Sequence, residues 1–187
     1  IVNNDIEADA ELLTHLIKTA KNRKAKIVVP KVFYPNGKLQ AAGGEFCWWL
    51  AEARNRGHLE KDKFFKEERV DFAPGVCVLV HKEVFEKIGF LPEEYFVYCE
   101  DADWSFRASQ KGFSVWFSPK AKIVHFESES LGKENPIKLY YLFRNSLILT
   151  SRYTNFWQKL IWWPLFLFKV LKKIIKYGAR DEWQNIK

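Results

Sequence analysis

The sequence predicts an α/β fold in which a mixed sheet is flanked by helices and followed by a C-terminal amphipathic helical tail. Short apolar runs bounded by turn residues alternate with segments whose apolar residues recur at helical spacing, a pattern typical of alternating strands and helices. Hydrophobic residues make up 48% and charged residues 28% of the chain, as in folded globular proteins. The length of 187 residues suits one domain with an appendage.

The first predicted elements are a helix and a strand. Residues 9–20 carry apolar side chains on one helical face, and Asp9 is the predicted cap of this helix. Residues 26–34 have the composition of a strand, and Pro30 within them predicts a sheet edge or a break.

Turn residues organise the next stretch. The Asn36-Gly37 pair predicts a turn, with a second short strand after it. Residues 43–57 begin with two glycines and mix polar with aromatic side chains, so we predict an irregular loop there.

The second half repeats the alternation of strands and helices. The apolar run 76–80 suits a buried strand, and a short helix at 82–88 is closed by Gly89. Residues 101–111 are predicted to be helical, with acidic residues in the first turn. Further predictions are strands at 113–117 and 122–126 and helices at 136–151 and 156–176.

The positive charge is concentrated at the C-terminus. The whole chain has a net charge of +7, and residues 152–187 contain eight Lys or Arg and only two Asp or Glu. We therefore divide the chain into a nearly neutral body, residues 1–151, and a basic tail, residues 152–187. A nucleic-acid-binding protein would be expected to carry basic residues across its body, which argues against that class.

Several other protein classes are excluded by residue usage. Three cysteines without CxxC spacing argue against a disulfide framework or a zinc site and suit a reducing compartment. No apolar run reaches the ~18 residues needed to cross a membrane. The chain has no Met and begins with an apolar pair that resembles the middle of a strand, so we expect it to be a piece of a longer protein.

Polar residues follow directly after the first apolar pair, as Asn3-Asn4-Asp5. Ligands of α/β sheets bind just beyond the carboxyl ends of strands, and an Asp at such a tip can hold a hard divalent cation through its oxygens. Asn and Asp also form ordinary turns, and these three residues alone leave both interpretations open.

Three carboxylates crowd the predicted start of the 101–111 helix, at Glu100, Asp101 and Asp103. Neighbouring carboxylates raise one another's pKa, so such a cluster can supply a general base. The alternative is that the acids complement the helix dipole and that Asp103 pairs with Arg107 four residues later. Aromatic residues before the cluster suit sugar stacking.

His125 ends a predicted strand and is followed by a loop rich in Ser and Gly. A histidine at this place can bind a metal or act as an acid or base, although a lone histidine is more often simply hydrogen-bonded. The loop composition would allow closure over a ligand.

The order of these motifs resembles a known enzyme family. NND at residues 3–5 is followed by GG, VDFxxG, VFEKIGF, YFxYxEDxDWxxR, AxIxHxxSxSxG and YYxxRN. This series resembles glycosyltransferase family 2, of the GT-A type, and in particular its bacterial rhamnosyltransferase-like members, which build surface polysaccharides. The resemblance extends from residue 1 to about residue 148.

The resemblance implies a divalent metal, Mg²⁺ or Mn²⁺, that binds the diphosphate of a nucleotide-sugar donor. The implied metal ligands are Asp5 and His125, and Asp101 is the implied catalytic base. The implied donor-binding residues are Asn4, Ser128 and Ser130. The implied acceptor-binding residues are Gly75, Glu100, Asp103, Trp104 and Arg107.

The resemblance also implies that the N-terminal half of the family domain, with its nucleotide base pocket, is absent here. Residues 1–151 would then be the acceptor and metal side of a GT-A domain, inactive alone. The implied activity is inverting sugar transfer to a glycan or lipid-linked acceptor. The alternative is a non-catalytic carbohydrate-binding or membrane-docking module.

The basic tail offers a second surface. Residues 156–176 combine tryptophans of the kind found at membrane interfaces with several lysines that could meet anionic headgroups. We expect a helix lying in the plane of a membrane, at the cytoplasmic, inner face of the plasma membrane. The alternative is a helix packed on another part of the protein or on a partner subunit.

Overall fold

The computed structural model describes residues 1–47, 52–126 and 136–178, and it confirms the predicted α/β class. The described strands are β1 (Ile6–Ala8), β2 (Ile27–Phe33), β3 (Leu39–Ala41), β4 (Gly44–Cys47), β5 (Glu52–Asn55), β6 (Glu68–Val70), β7 (Leu79–Val80) and β8 (Val115–His125). The described α-helices are α1 (Leu12–Arg23), α2 (Lys82–Ile88), α3 (Glu100–Gln110), α4 (Pro136–Tyr153) and α5 (Phe156–Gly178), and a 3₁₀ turn covers Glu93–Tyr95.

The main sheet is mixed and is built around β2 and β8. These two strands run parallel to each other, and β3 and β7 pair with β2 in the antiparallel sense. The antiparallel strands β1 and β6 pair with opposite ends of β8. The pairing with β1 brings Asp5, just before that strand, beside His125 at the end of β8.

The expectation of a sheet edge at Pro30 is wrong, because β2 has neighbours on both sides. Almost every residue of β2 is buried, as its apolar composition requires. Among the described strands, Pro30 has no pairing partner on one side of β2, because β7 pairs only with residues 27–28 and β3 only with residues 32–33. On the other side, the pairing with β8 shifts register between Pro30 and Lys31. The predicted break at Pro30 is therefore present, as a shift in the register of β2 and β8.

Two further predictions are corrected. The separate strands at 113–117 and 122–126 are one strand, β8, because β2 runs beside both parts and its register shift absorbs the residues between them. The stretch 43–57 contains a two-stranded antiparallel sheet of β4 and β5. On β4, the partly buried Glu45 and Cys47 alternate with the buried Gly44 and Phe46. This stretch of alternating residues is too short to predict a strand from the sequence.

The apolar run 76–80 is only partly a strand. β7 covers Leu79 and Val80, while Cys77 forms an isolated antiparallel bridge with Val2. The chain start therefore lies along this run, and the N–H of Asn3 donates to the carbonyl of Val76 at 2.9 Å.

The helices follow the predictions with shifted ends. Asp9 accepts a hydrogen bond from the N–H of Glu11 at 2.9 Å, before α1 begins at Leu12. The helix α2 has the predicted bounds, and Gly89 closes it with a φ of 75°. The helix α3 begins at Glu100, one residue earlier than predicted.

Two main groups of buried side chains hold the helices on the sheets. One joins the main sheet to α2 and α3, with Val84, Trp104 and Phe117 at its centre. The other joins β4, α3, α4 and α5, and it includes Phe106, Leu149 and Trp162. Trp162 lies beyond the predicted boundary after residue 151, so the described part of the basic tail packs on the body. The boundary itself remains a prediction.

Within the described residues, no helix is both long and apolar enough to span a membrane.

Candidate active site

The segment that leads into α3 is strained. Phe96, Tyr98 and Cys99 have φ values of 62°, 66° and 70°, in the left-handed region that side chains other than glycine rarely adopt. Such conformations persist only when surrounding contacts hold them, and they concentrate at functional sites. The strained segment leads directly into the first turn of α3, which contains the acidic residues Glu100, Asp101 and Asp103. We call this N-terminal turn the mouth of α3.

Asn145 of α4 supplies the contacts that hold this segment. Its side chain is fully buried, and its amide group donates to the carbonyls of Tyr95, Val97 and Tyr98 at 2.9, 2.6 and 2.9 Å. In the sequence, Asn145 stands only as the last residue of the YYxxRN motif, with no role assigned to it. Its neighbour Arg144, in the same motif, also contacts this part of the chain, because it donates to the carbonyl of Glu94 at 2.8 Å.

Asp101 is held at the mouth of α3 by backbone hydrogen bonds. Its Oδ2 accepts from the N–H of Gly75 at 3.0 Å, and its Oδ1 accepts from the N–H of Ala102 at 2.8 Å. Burial raises the pKa of the Asp101 carboxyl, while the hydrogen bonds from Gly75 and Ala102 oppose this rise. The Asp101 carboxylate is thus held in one orientation, and the residue as a whole is only partly buried.

Gly75 contributes its N–H rather than its lack of a side chain. A Cβ at this position would lie 3.7 Å from the Cβ of Asp101, an ordinary contact. Ser105 ties the same loop to α3, because its hydroxyl accepts from the N–H of Ala73 at 3.0 Å and donates to the carbonyl of Asp101 at 2.7 Å.

Glu100 lies in the first turn of α3, beside Asp101. Burial, and next the charge of Asp101, raise the pKa of the Glu100 carboxyl to about 7. Its Oε2 is buried and has no hydrogen-bond partner among the described residues. The α3 start at Glu100 means that both acids share the helix mouth.

Asp103 lies in the interior, with only 1% of its surface exposed. Its carboxylate accepts hydrogen bonds from Tyr95 at 3.1 Å and Tyr153 at 2.9 Å, and it forms ion pairs with Arg107 at 3.2 Å and Arg152 at 3.3 Å. The expected pairing with Arg107 is therefore present. The assignment of Asp103 to the acceptor site remains a prediction, and the contacts describe a structural role.

Trp104, which is buried, and Arg107, which is partly exposed, also form hydrogen bonds within the protein. The indole N–H of Trp104 donates to the carbonyl of Gly89 at 3.0 Å, and the residue is 2% exposed. Arg107 donates to the carbonyls of Ile88 and Phe90 at 2.8 and 2.9 Å. Both side chains fix the end of α2 against α3, and their acceptor-binding roles remain predictions.

Asp5 and His125 are brought together by the pairing of β1 with β8. The Oδ1 of Asp5 lies 3.2 Å from the Nε2 of His125, and the Nδ1 of His125 lies 2.9 Å from the Oε1 of Gln40. Gln40 and His125 are both buried. Sequence reasoning missed Gln40, which carries no local signal and reaches His125 only through the pairing of β2 with β3 and β8.

Asp5 and His125 offer two of the ligand types that divalent cations take in proteins. If Nδ1 donates its proton to Gln40, the Nε2 lone pair and a carboxylate oxygen face each other, an arrangement that suits a bound cation. No group of three or more His, Cys, Asp or Glu that could hold a metal occurs among residues 1–47, 52–126 and 136–178. Asp5 and His125 would therefore form part of a shell that phosphate and water complete.

The remaining predicted site residues have simple locations. Asn4 is exposed beside Asp5, and Ser128 and Ser130 lie outside the described residues. The two candidate centres share one segment, because Asn3 bonds to Val76 and the adjacent Gly75 bonds to Asp101. The Asp101 carboxylate and the backbone of Asn3, two residues before Asp5, are thus bonded to the adjacent residues Gly75 and Val76.

Comparison with known proteins confirms the resemblance, although no protein-family model matches the chain. The chain is 29% identical over 100 residues to an N-acetylglucosaminyl-diphospho-decaprenol L-rhamnosyltransferase of Mycobacterium tuberculosis, covering 53% of this chain and 33% of that protein. It is 33% identical over 82 residues to the dTDP-rhamnosyl transferase RfbF of Shigella flexneri, covering 40% and 28%. The chain thus spans about a third of these relatives.

A solved structure shares the fold. The crystal structure of GalNAc-T7 with UDP, GalNAc and Mn²⁺ matches 78% of this chain and 30% of its own, with a TM-score of 0.52 and 13% identity. Together the matches establish a relationship to rhamnosyltransferases and a fold shared with a GT-A glycosyltransferase.

Proposed function

We propose that this relative of the bacterial rhamnosyltransferases is part of an inverting, metal-dependent glycosyltransferase that takes part in surface polysaccharide synthesis. The donor would be a nucleotide-diphosphate sugar, and the acceptor a glycan or lipid-linked sugar. The observation that carries the proposal is Asp101, a carboxylate of raised pKa that two backbone N–H groups orient at the mouth of α3.

Asp101 would act as the general base in a single displacement. The acceptor hydroxyl oxygen forms a bond to the anomeric carbon as the bond from that carbon to the diphosphate oxygen breaks. The hydroxyl proton passes to Asp101, and the electron pair of the broken bond leaves with the nucleotide diphosphate. One displacement inverts the anomeric carbon and needs one base.

Asp5 and His125 would hold Mg²⁺ or Mn²⁺, with Gln40 orienting the imidazole ring. The bound ion supplies positive charge that neutralises the leaving diphosphate. Asn4, beside Asp5, and Ser128 and Ser130, after His125 in the chain, are the proposed donor contacts.

The acceptor would lie against the surface formed by Gly75 and the start of α3. Glu100 borders Asp101 there, whereas Asp103, Trp104 and Arg107 would shape the site from within the protein. The contacts of these last three residues within the protein hold α3 in place, which suits a positioning role.

A membrane surface is the proposed location, at the cytoplasmic face of the plasma membrane. One face of α5 is apolar and 44–73% exposed at each side chain, whereas Trp162 and Phe166 on the opposite face are buried. Lys169 and Lys173 lie seven and eleven residues after Trp162. This spacing places them on the same face of α5 as Trp162, opposite the exposed apolar face. The apolar residues of α5 that are at least 44% exposed are Phe156, Trp157, Leu160, Ile161, Trp163, Leu167, Phe168, Leu171, Ile174 and Ile175.

The test of the catalytic proposal is Asp101→Asn in the full-length protein. The variant keeps the size of the side chain and one of the two hydrogen bonds that it accepts, and it removes the ability to accept a proton. General-base catalysis contributes roughly 10²–10⁴-fold, so turnover should fall by about that factor. Sugar transfer and donor affinity are measured separately, and donor affinity should stay within a few-fold of wild type.

The matched control is Asp9→Asn, an exposed aspartate in the turn before α1, which should transfer sugar at the wild-type rate. If Asp101→Asn retains turnover within a few-fold of wild type while Glu100→Gln or Asp103→Asn abolishes it, the base is another acid.

A further inference from the structure

Exposed aromatic rings lie beside the mouth of α3. Phe96, in the strained segment, is 77% exposed, and Tyr140 of α4 is 60% exposed. Tyr141 connects them, because its ring centroid lies 5.1 Å from that of Phe96 and 5.2 Å from that of Tyr140. We call these three residues the aromatic platform. Two separate parts of the chain form it, so it exists only in the folded protein.

Phe96 has a backbone conformation that a large side chain disfavours. Its φ is 62° and its ψ is −55°, and the N–H of Val97 donates to the carbonyl of Tyr95 at 2.7 Å. These features define a γ-turn of the rare, strained form that has positive φ at its centre. Glycine would adopt this conformation without strain, yet an aromatic side chain occupies it and faces solvent. Because neither feature favours folding, the combination indicates a ligand-binding role.

The γ-turn is supported from inside the protein. The side-chain amide of Asn145 donates to the carbonyls of Tyr95 and Val97, on either side of Phe96, at 2.9 and 2.6 Å. Asn145 is fully buried, so these bonds hold the turn in one shape. A surface that is already ordered loses little conformational entropy when a rigid ring binds to it.

The chemistry of the aromatic platform suits a sugar ring. The face of an aromatic ring carries partial negative charge, and the C–H groups on the face of a pyranose carry partial positive charge, so the two faces attract each other. Two of the three platform residues, Tyr140 and Tyr141, also carry a hydroxyl group. Tyrosine hydroxyls both donate and accept hydrogen bonds, which matches the hydroxyl groups around the edge of a sugar.

The aromatic platform is continuous with the candidate active site. Phe96 precedes Asp101 by five residues, a length of chain that spans at most about 18 Å when fully extended. The positive φ values of Tyr98 and Cys99 turn this chain, so the separation in the fold is shorter. A glycan with one hydroxyl at Asp101 can therefore reach the platform. This position favours a sugar over a membrane surface, where exposed tyrosines also occur.

We propose that the aromatic platform binds a pyranose ring of the acceptor glycan, beyond the ring whose hydroxyl reacts at Asp101. Phe96 packs on the C–H face of this ring, and Tyr140 and Tyr141 border it. The proposal rests on the proposed function, because it adds a second sugar-binding position to the acceptor side of the same site. It selects an acceptor with at least two sugar rings, since one ring cannot occupy both positions.

The test measures binding of cellobiose, a disaccharide of two pyranose rings, to the 187-residue chain. Titration gives the affinity, and saturation-transfer NMR identifies the sugar protons that contact the protein. Saturation should reach the C–H protons on the face of one ring most strongly. Sorbitol has sugar-like hydroxyl groups but no ring face, and it should bind at least tenfold more weakly than cellobiose.

Phe96→Gly removes the central ring of the aromatic platform and should weaken cellobiose binding at least tenfold. Glycine adopts a positive φ without strain, so this variant should melt at the wild-type temperature or above it in circular dichroism. Loss of binding is thereby separated from loss of folding. Tyr140→Ala tests the α4 side of the platform and should weaken binding several-fold. The matched control is Phe90→Gly, since Phe90 is also 77% exposed but stacks on Phe85.

Equal cellobiose binding by wild type and Phe96→Gly, equal binding of cellobiose and sorbitol, or no cellobiose binding overturns the proposal. Weaker co-sedimentation of Phe96→Gly with vesicles of phosphatidylglycerol and phosphatidylcholine, with unchanged cellobiose binding, also overturns it and identifies a membrane contact. Sugar transfer by the full-length wild type would in these cases still support the proposed function. Cellobiose binding as expected, with no sugar transfer by the full-length protein, would instead refute the proposed function and leave a sugar-binding platform.

Discussion

At the scale of single residues, the mouth of α3 places two unlike carboxylates side by side. Asp101 accepts two backbone hydrogen bonds, whereas the buried Oε2 of Glu100 has no partner among the described residues. Hydrogen bonds favour the charged form of a carboxyl group, and burial disfavours it. Burial raises the pKa of both carboxyl groups, and Asp101 is the better oriented proton acceptor because two backbone N–H groups hold it.

Glu100→Gln should stabilise the protein at high pH. The Glu100 pKa of about 7 lies above its ordinary value of 4.5, so the folded protein binds this proton more tightly than the unfolded chain. The contribution of Glu100 to stability is therefore lost as pH rises from 4.5 to about 7. Glutamine has no charge to bury, and the gain at pH 8 should be on the order of 1 kcal/mol after allowance for solvent screening.

Urea unfolding of wild type and Glu100→Gln at pH 4 and pH 8 measures this difference. The exposed Glu93→Gln reports the general effect of removing one negative charge. An equal increase in the free energy of unfolding at pH 4 and pH 8 would show that the charge of Glu100 does not destabilise the folded protein.

At the scale of elements, α5 combines two faces with different partners. Trp162 and Phe166 pack on α3 and α4, and the opposite face is apolar and exposed. Burial of apolar side chains is favourable by about 2 kcal/mol for a full leucine, so this face gains free energy from an apolar environment. The exposed face is the part of α5 that a membrane surface would cover.

Leu167→Ser with Leu171→Ser should weaken binding to vesicles of phosphatidylglycerol and phosphatidylcholine at least tenfold. Both leucines are more than half exposed, at 53% and 55%, and lie four residues apart on the exposed face. Co-sedimentation measures the bound fraction. The matched control, Leu13→Ser with Ile17→Ser, changes two exposed apolar residues four apart on α1. Equal loss in both pairs, or no loss in either, contradicts an interfacial role for α5.

At the scale of the whole molecule, Asp103 connects three parts of the chain. It binds Tyr95 before α3, Arg107 within α3, and Arg152 and Tyr153 at the end of α4. Burial is the largest cause that raises the pKa values of Tyr95 and Tyr153, so both hydroxyls stay protonated and can donate to Asp103. The network crosses the boundary predicted after residue 151.

Asp103→Asn should lower the free energy of unfolding by about 3 kcal/mol, because it leaves Arg107 and Arg152 without their buried carboxylate. Arg152→Gln should cost less, since that residue is partly exposed and also pairs with Glu94 at the surface. Urea unfolding at pH 7 measures both values. A loss for Asp103→Asn no larger than that for Arg152→Gln would contradict the role of Asp103 as the centre of the network.

The sequence by itself determined the α/β class, the bounds of α2 and the acidic start of α3, because these depend on local spacing and capping. It also carried the relationship to rhamnosyltransferases, which the ordered motifs around Asp5, Asp101 and His125 indicate. The pairing of Asp103 with Arg107 followed from their spacing on one helix.

Only the tertiary structure decided which distant residues meet. Pro30 lies in an interior strand at a point where neither β3 nor β7 pairs with β2, and β8 is one strand because β2 runs beside both of its parts. Gln40 reaches His125 across the sheet, and Asn145 reaches the strained segment from α4. These contacts join residues 85 and 50 positions apart, and local sequence patterns hold no information about such pairs because strand pairing and helix packing create them.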